Sequence, residues 1–593
     1  MSSLVADGIV DRLRKWDVKR IFGYAGDGID PILAALHRAD GSLEYVSVRH
    51  EEMAAFMACG HAKYTGEVGV CLATQGPGAI HLLNGLYDAK LDRRPVVAIV
   101  GQVISTALGS GYLQEVDLHP LFKDVCGQFV QTVFSPEQLP MALDNAMRTA
   151  IATSTPTCLI VPHDVQKAAL PEELRHSHGI VPSSAVVDHR RIVPSPQRVQ
   201  DAADVLNAGR KVALLIGRGA AGAADEIAKT VEALGAGVTA SLLGKPVLDE
   251  SAPWHTGVMG HLGTTASADL MENCDTLLIV GCNDPWTEFY PAPGQARAVQ
   301  IDVDPRILGG KFPIEVGIVG DAATSLRELL PLLDRSTDDE WSKTVQQYIN
   351  RWRSIAKNDI EAKTTDANPE FVVYALNEHL PTNARIAVDV GSSTYWYAKH
   401  LRLAEGVPAH VSGYLASMGC AMPYAIAAKL DAPDRPVVAL VGDGAMQMNG
   451  LLELITVAHR WREWKDPRFV VLVLHNRDLS EVSWEQREME GDPRYPASQH
   501  VPDFPYARYA EMLGLQGIRV ESSAGASEAW KSAFSASCPT LIEAIVDADD
   551  PMLPPNMPGE KASKVFHAVD QEPGGEAVRA RIDRHFEADR GRE

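Results

Sequence analysis

The chain has 593 residues, of which 46% are hydrophobic and 22% are charged. At about 150 residues per domain, this length excludes a single small module and predicts three large domains or four smaller ones. The net charge of -22 argues against nucleic acid as a partner, because nucleic-acid binding needs a clustered cationic surface.

The cysteines and the first segment of the chain indicate a cytoplasmic protein. The eight cysteines never form a Cys-x-x-Cys pair and lie mostly in apolar runs, so we expect reduced core residues and no zinc site. No apolar run approaches the roughly 18 residues that span a bilayer. Leu4 to Val18 carries charges at helical spacing, unlike a signal peptide. We therefore expect no integral membrane segment.

Short apolar runs alternate with amphipathic stretches along the whole chain. The clearest runs are Pro95 to Gly101, Val212 to Gly217, Thr276 to Gly281, Arg385 to Gly391, Pro436 to Gly442 and Arg468 to Asn476. This alternation is typical of buried parallel strands joined by crossover helices. The sequence therefore predicts an α/β fold.

Two polar stretches divide the chain. Pro171 to Pro196 is rich in Pro, Ser, His and charge, and Ser336 to Pro369 is a charged stretch that we expect to form a helical bridge. The predicted units are residues 1–180, 195–335 and 365–548, followed by a polar tail at 549–593.

Polar residues follow two successive predicted strands in the third unit. Gly442-Asp443-Gly444-Ala445 ends one strand and opens a helix, and the next strand ends at Asn476. Adjacent strand ends are where open parallel sheets bind ligands. Asp443, Asn476 and a main-chain carbonyl such as that of Asp478 would suit Mg²⁺ bridging a diphosphate. Taken alone, Gly-Asp-Gly is more typical of an ordinary tight turn, and only with Asn476 at the end of the next strand are the two interpretations equally compatible.

This pattern resembles the thiamine diphosphate motif, and the resemblance covers nearly the whole chain. The first unit contains short motifs in the order found in pyruvate oxidases and pyruvate dehydrogenase (quinone), within the acetolactate synthase superfamily. They are Tyr24-Ala25-Gly26-Asp27-Gly28, Arg49-His50-Glu51-Glu52, Gly76-Pro77-Gly78, Asn84-Gly85-Leu86-Tyr87-Asp88-Ala89 and Gly109-Ser110-Gly111-Tyr112-Leu113-Gln114-Glu115. The resemblance implies that this unit binds the pyrimidine ring and the third unit the diphosphate.

The resemblance assigns roles to three catalytic candidates. Glu51 matches the glutamate that hydrogen-bonds the aminopyrimidine and promotes the tautomer that deprotonates the thiazolium carbon. In isolation Glu51 would instead be a favourable charge at a helix start. Gln114 matches a position that lines the substrate pocket, and Glu485 lies in a Trp484-Glu485 segment similar to that of the synthases. Gly26 is a cofactor contact by the same resemblance.

Further cofactor contacts in the third unit follow from the resemblance. Met418 matches the apolar residue that holds thiamine diphosphate in its bent form, although a single methionine is also a common core residue. Gly391, Ser392 and Ser393 match a diphosphate contact, although small residues after any such strand look similar.

The second unit contains a Gly-x-Gly-x-x-Gly pattern from Gly217 to Gly222. NAD is disfavoured, because the next predicted strand, Val238 to Leu242, lacks an acid to hold a ribose hydroxyl. The resemblance implies FAD instead, and the alternative is that these glycines are structural. The predicted flavin contacts are Gly217, Gly219, Gly260, Gly281, Asn283 and Asp302.

The resemblance implies three doubly wound parallel-sheet domains and a thiamine diphosphate- and Mg²⁺-dependent decarboxylation of pyruvate or a related 2-oxo acid. FAD would then oxidise the enamine and pass electrons to oxygen or a quinone. Because the glutamate and the diphosphate site come from different subunits in this family, a homodimer or homotetramer is implied. Carboligation as in acetolactate synthase is the rival reaction. The family's oxidases carry an aromatic residue where this chain has Glu481, so the substrate stays open.

Overall fold

A computed structural model describes residues 3–171, 181–188, 191–336, 339–555, 557 and 559–590, and the side chains of 584–590 are left out of the description. Part of the predicted linker at Pro171 to Pro196 therefore lies outside the described residues. In the rest, each of the three predicted units contains one six-stranded parallel sheet with helices on its faces, which confirms the α/β fold class.

The first sheet has the strand order β2-β1-β3-β4-β6-β5. Its strands are β1 (Arg20–Gly23), β2 (Glu44–Ser47), β3 (Gly69–Ala73), β4 (Val96–Gln102), β5 (Val130–Thr132) and β6 (Pro156–Pro162). The α-helices are α1 (Val5–Lys15), α2 (Asp30–Arg38), α3 (Glu51–Thr65), α4 (Pro77–His81), α5 (Leu83–Leu91), α6 (Leu118–Lys123), α7 (Leu139–Thr153) and α8 (His163–Lys167). The helices cover both faces of the first sheet, as the fully buried residues of β3, β4 and β6 show.

The second sheet has the order β12-β11-β10-β7-β8-β9. Its strands are β7 (Val212–Ile216), β8 (Gly237–Ala240), β9 (His255–Val258), β10 (Thr276–Val280), β11 (Arg297–Asp302) and β12 (Val316–Val319). The helices are α9 (Pro196–Asn207), α10 (Ala224–Leu234), α11 (Thr265–Asn273) and α12 (Ala322–Leu329). The order reverses at β7, so the loops after β7 and β10 lie side by side where such folds bind ligands.

The third sheet has the order β14-β13-β15-β16-β18-β17. Its strands are β13 (Arg385–Val388), β14 (Ala409–His410), β15 (Val437–Gly442), β16 (Phe469–His475), β17 (Gln516–Val520) and β18 (Thr540–Ile545). The preceding helices are α13 (Glu340–Ile360) and α14 (Pro369–Tyr374), and those within the unit are α15 (Ser392–His400), α16 (Ala421–Asp431), α17 (Asp443–Ala445), α18 (Leu451–Arg460), α19 (Ser480–Glu485), α20 (Pro496–Gln499), α21 (Tyr506–Met512) and α22 (Ala526–Ser535). The predicted strands at 436–442 and 468–476 are therefore present and adjacent.

The segment after residue 548 is packed against the third unit. It contains α23 (Gly559–Val569) and α24 (Gly575–Arg590). Val565, Val569 and Ile582 are fully buried in the core that also contains Trp396 and Trp530. The polar tail expected from composition thus uses a narrow apolar face to cover the third unit. No helix among the described residues has the length and apolar character needed to cross a membrane.

The first and third units share one hydrophobic core in which α3 packs on α16. Gly60 of α3 permits this close approach, because a Cβ atom there would lie 3.0 Å from the ring of Tyr424. A buried ion-pair cluster lies in the same interface. Lys63 donates to Asp92 at 2.6 Å, to the Val411 carbonyl at 2.8 Å and to the Tyr424 hydroxyl at 2.6 Å.

Two carboxylates share the charge of Lys63, since Asp88 Oδ2 lies 3.4 Å from the same nitrogen. Burial by itself would lower the pKa of Lys63, but Asp88 and Asp92 raise it above its ordinary value. Asp92 also accepts the backbone N–H groups of Gly413 and Tyr414 at 3.1 and 3.0 Å. The cluster therefore fixes the loop that follows β14.

We predict that Lys63→Met strongly destabilises the protein, because it leaves two buried carboxylates without their cation. Breaking a buried pair on one side costs about 3 to 5 kcal/mol, which lowers the melting temperature of domains of this size by roughly 10 °C. Differential scanning calorimetry measures this change. Lys19→Met is the matched control, since Lys19 is solvent-exposed. Equal melting temperatures for the two variants would contradict the structural role of the cluster.

Candidate active site

The carboxyl edge of the third sheet carries the predicted diphosphate and metal residues. Gly442 of β15 is paired with Leu474 of β16, so Asp443 lies beside the end of β16. The Asp443 carboxylate is buried and accepts two backbone N–H groups, that of Gly444 at 2.8 Å and that of Arg477 at 2.6 Å. Asp443 thus lies at the end of β15 beside the end of β16, and these two hydrogen bonds fix the orientation of its carboxylate.

Burial raises the pKa of Asp443 to about 6, although the N–H groups of Arg477 and Gly444 act in the opposite direction. Burial also raises the pKa of Asp478 above its ordinary value. Two desolvated carboxyl groups close to one strand edge favour the binding of a cation, which would stabilise their charged forms.

Asn476 and Asp478 form a tight turn directly after β16. The side-chain oxygen of Asn476 accepts the Asp478 N–H at 3.0 Å, and its amide group donates to Ser480. Asp478 Oδ2 is buried without a hydrogen-bond partner among the described residues, and Arg494 lies 3.7 Å from it. A cavity of about 520 Å³ opens here, lined by Asn476, Asp478 and by Arg581 of α24. The Asp478 side chain thus faces Arg494, and its main-chain carbonyl stays the predicted third ligand. The oxygen atoms of Asp443 and Asn476 are of the type that Mg²⁺ prefers, so the donor set is compatible with this ion.

Met418 lies in a loop that one buried carboxylate holds in place. Asp389 follows β13 and accepts the N–H groups of Gly419 at 2.8 Å and Ala421 at 2.9 Å. Burial raises the pKa of Asp389 to about 6. The Met418 side chain reaches the helix start after Asp443, because a Cβ atom on Gly444 would lie 3.2 Å from its methyl group. Met418 therefore lies against the helix start that follows Asp443, and its role in holding the bent form of the cofactor stays a prediction.

Gly391, Ser392 and Ser393 form the start of α15. Gly391 has φ +110°, a conformation in which other side chains are strained, and an added Cβ atom would meet no neighbour within 4 Å. The Ser393 hydroxyl is buried and donates to the Asp389 carbonyl at 2.8 Å, so it is already engaged. Gly391 and the partly exposed Ser392 are thus better placed than Ser393 to contact a ligand.

Glu51 is the first residue of α3 and is buried, with only 8% of its surface exposed. His50 caps the helix through Nδ1, which accepts the N–H of Glu52 at 3.3 Å. His81 Nδ1 lies 2.9 Å from Glu51 Oε2. The sequence analysis missed His81, although it follows the Gly-Pro-Gly motif by three residues.

Gly26 and Gln114 lie near the carboxyl edge of the first sheet. A Cβ atom on Gly26 would lie 2.6 Å from Thr74, so close packing already requires glycine there. Gln114 has φ +62° and is exposed, and its side-chain oxygen accepts from Gln75 at 2.9 Å. Gln75 therefore joins Gln114 to this edge and was also missed.

Glu485 is half-buried at the end of α19 and lies in a row of carboxyl groups. Burial and the nearby Glu488 raise its pKa above the ordinary value. Burial and Glu485 raise the pKa of Glu481 to about 7. Both carboxyl groups on this face of α19 therefore bind a proton more tightly than an ordinary carboxyl group does.

The structure brings the two groups of site residues together only indirectly. The Asn84 side chain donates to Glu52 at 2.6 Å and to the Ser417 hydroxyl at 2.9 Å, which connects the start of α3 to the loop that carries Met418. Within the described part of one chain, no hydrogen bond or ion pair joins Glu51 to Asp443.

The glycines of the second unit pack two loops against each other. Cβ atoms on Gly217 and Gly219 would lie 2.3 and 2.8 Å from backbone atoms of Gly281. The Gly219 N–H donates to the Gly281 carbonyl at 2.9 Å. The structural alternative therefore explains these three glycines without a ligand.

The remaining flavin candidates surround the same strand ends. Gly260 has φ +98°, and the Asn283 carbonyl accepts from the Tyr414 hydroxyl of the third unit. Asp302 ends β11, and its Oδ1 accepts the Asp304 N–H at 2.9 Å. Burial raises the pKa of Asp302. An acid at the end of such a strand is suited to binding a sugar hydroxyl.

Arg218 lies within the Gly-x-Gly-x-x-Gly pattern, and the sequence analysis did not identify it as a candidate. Burial and the neighbouring guanidinium group of Arg94 lower its pKa to about 9, even though Asp92 is also nearby. The Nε atom of Arg94 is buried and has no hydrogen-bond partner among the described residues. Two arginines that repel each other beside the loops of β7 and β10 fit an anionic ligand such as a diphosphate.

Comparisons with known proteins agree with this geometry. Three family models match in order: "Thiamine pyrophosphate enzyme, N-terminal TPP binding domain" at residues 4–121, "central domain" at 199–329 and "C-terminal TPP binding domain" at 389–544.

Full-length relatives are also found. The Bacillus subtilis protein YdaP, described as a putative thiamine pyrophosphate-containing protein, is 33% identical over 92% of both chains. A probable acetolactate synthase large subunit of Methanococcus aeolicus is 30% identical over 97% of both. Pyruvate oxidase of Lactiplantibacillus plantarum is 27% identical over 93% of this chain and 89% of its own. The chain therefore belongs to the thiamine pyrophosphate enzymes.

Proposed function

We propose that the protein uses thiamine diphosphate and Mg²⁺ to decarboxylate pyruvate or a related 2-oxo acid, and FAD to oxidise the product. The observation that carries this proposal is the pair of strand ends at Asp443 and Asn476, together with a buried glutamate at position 51. The relatives include both a pyruvate oxidase and acetolactate synthases, so the family alone leaves the reaction open.

Asp443, Asn476 and Asp478 would hold Mg²⁺, and the N–H groups at the starts of α15 and α17 would bind the diphosphate. Met418 would set the bend of the cofactor. Bound thiamine diphosphate supplies an electron sink for decarboxylation. Glu51 would hold and return a proton at the ring nitrogen of the aminopyrimidine. Because no contact within the described part of one chain joins Glu51 to Asp443, a homodimer whose copies complete each other's sites fits the arrangement.

The second unit would hold FAD at the loops after β7 and β10. Asp302 would bind a ribose hydroxyl, and Arg218 and Arg94 would bind the diphosphate. Electrons would pass from the flavin to oxygen or a quinone. The second candidate function is carboligation, which the 30% identity to acetolactate synthases supports.

We predict that Asp443→Ala loses Mg²⁺-dependent binding of thiamine diphosphate. The diphosphate carries negative charge that nearby carboxylates repel unless a cation is bound between them. Isothermal titration calorimetry measures the affinity with and without Mg²⁺, and Asp434→Ala, an exposed position in the same unit, is the control. Wild-type affinity in Asp443→Ala would remove this residue from the metal site.

The purified protein should carry a flavin that bleaches when the correct 2-oxo acid is added without oxygen. Visible absorption spectra before and after anaerobic addition of pyruvate test this expectation. A colourless protein that also fails to bind added FAD would refute the oxidase reaction. A coloured protein that does not bleach while acetolactate accumulates would establish the carboligase.

Glu51→Gln should fold and bind both cofactor and Mg²⁺, because the residues at the third sheet are unchanged. An amide cannot share a proton as a carboxyl group does, so exchange of the thiazolium proton should slow by about 10² to 10⁴. Proton NMR after acid quench measures this rate. Glu67→Gln, exposed just after α3, should exchange as wild type does. Exchange at the wild-type rate in Glu51→Gln would reduce Glu51 to a helix-start charge.

A further inference from the structure

Among the described residues, Glu51 has a side-chain hydrogen-bond neighbour, His81, that the proposed function does not use. His81 Nδ1 lies 2.9 Å from Glu51 Oε2. A His81 ring with its hydrogen on Nδ1 would donate this hydrogen bond, and Glu51 Oε2 would accept it. His81 therefore contacts Oε2 of Glu51 and leaves Oε1 for another partner.

The other oxygen, Oε1, lies over Gly78. A Cβ atom at this position would come within 3.2 Å of Oε1 and within 2.8 Å of Thr74. Glycine therefore keeps the approach to Oε1 open, while His81 holds Oε2. The carboxyl group of Glu51 thus has one restrained oxygen and one accessible oxygen.

His81 is itself held in place from the start of α3. Its ring stacks on that of His50 with 4.3 Å between centroids and 30° between planes. His50 in turn caps the helix by accepting the Glu52 N–H at 3.3 Å. The orientation of the His81 ring is therefore coupled to the same helix start that carries Glu51, even though 41% of the His81 side chain is exposed.

Ligand atoms of His50, Glu51 and His81 all lie within 4.8 Å of one another, which raises the alternative of a metal site. The hydrogen bonds favour a proton-holding role instead. His50 Nδ1 accepts a hydrogen bond, so a neutral His50 ring carries its hydrogen on Nε2 and offers no free lone pair. His81 Nδ1 is already bound to Glu51.

We propose that His81 is a positioning residue for Glu51: by donating to Oε2 it presents Oε1 to the aminopyrimidine. This inference rests on the proposed function of Glu51. His81 does not contact the reacting atoms and acts through the carboxyl group alone. Residues that orient a functional group in this way typically change activity by about 10- to 100-fold when removed.

The first experiment compares His81→Ala, His81→Asn and the control His37→Ala in the full-length protein with thiamine diphosphate and Mg²⁺. His37 is exposed on α2. We expect exchange of the thiazolium proton to slow by about 10- to 100-fold in His81→Ala. Asparagine retains an N–H donor and should recover part of the rate. Cofactor affinity, measured by calorimetry, should change by less than about threefold in both variants, since the diphosphate residues are unchanged.

The double variant Glu51→Gln/His81→Ala separates this inference from the proposed function. If His81 acts through Glu51, adding His81→Ala to Glu51→Gln slows exchange no further. Normal exchange in Glu51→Gln alone would refute the proposed function. Slow exchange in Glu51→Gln with wild-type exchange in both His81 variants would refute only the positioning role, as would multiplicative losses in the double variant.

A second readout needs no cofactor. In protein labelled with ¹⁵N-histidine, the ring signal missing from His81→Asn belongs to His81. Its ¹⁵N shifts should show hydrogen on Nδ1 in the wild type and should move in Glu51→Gln, while the His37 signal stays unchanged. A separate, third measurement is made with the cofactor bound: near-ultraviolet circular dichroism should show less imino tautomer in His81→Ala. A His81 signal that Glu51→Gln leaves unchanged would overturn the hydrogen bond on which the inference depends.

Discussion

The ion pairs of Lys63 connect the parts of the molecule that the site requires. Lys63 extends from α3, the helix that begins at Glu51, and donates a hydrogen bond to Asp92. Asp92 also accepts a backbone N–H group of the loop after β14. The same loop reaches the second unit through Tyr414 and the Asn283 carbonyl. A buried cation between two carboxylates is stable only when its geometry is kept. Lys63 therefore contributes to the packing of the first unit on the third, which contacts the second through Tyr414.

In each unit, the candidate site residues lie at the carboxyl ends of the strands of its sheet. Hydrophobic strands bury the sheets, while the polar residues are confined to the loops at their carboxyl ends, since backbone groups there are free for ligands. Glu51 lies in the first unit and Asp443 in the third, and both residues are buried. Burial raises the pKa of Asp443 to about 6, so its charged form gains from a bound cation.

Much of the fold follows from short-range sequence patterns. Apolar runs such as those ending at Gly442 and His475 are strands in the structure, because their residues are buried on both faces. The tail was expected to be polar, yet Val565 and Ile582 are buried in the core of the third unit. Composition alone cannot show that the tail packs on the third unit, because the residues that contact its narrow apolar face are distant in sequence.

The site was predicted unevenly for the same reason. Asp443 and Asn476 follow from strand order, because neighbouring strands end at a common edge. His81, Asp389 and Arg218 were missed, since each acquires its surroundings through tertiary contacts. The glycines at 217, 219 and 281 are required where two loops pack closely, and their contact with a flavin stays a prediction.

Asp389 has a consequence for how the site can change during evolution. The Asp389 carboxylate accepts hydrogen bonds from the main-chain N–H groups of Gly419 and Ala421. These hydrogen bonds involve no side chain of the loop before α16. The path of this loop is thus determined by Asp389 and by backbone N–H groups, independently of the side chain at position 418. Substitutions at position 418 can alter the shape presented to a cofactor while the loop itself keeps its course, so relatives can vary that residue independently of the fold.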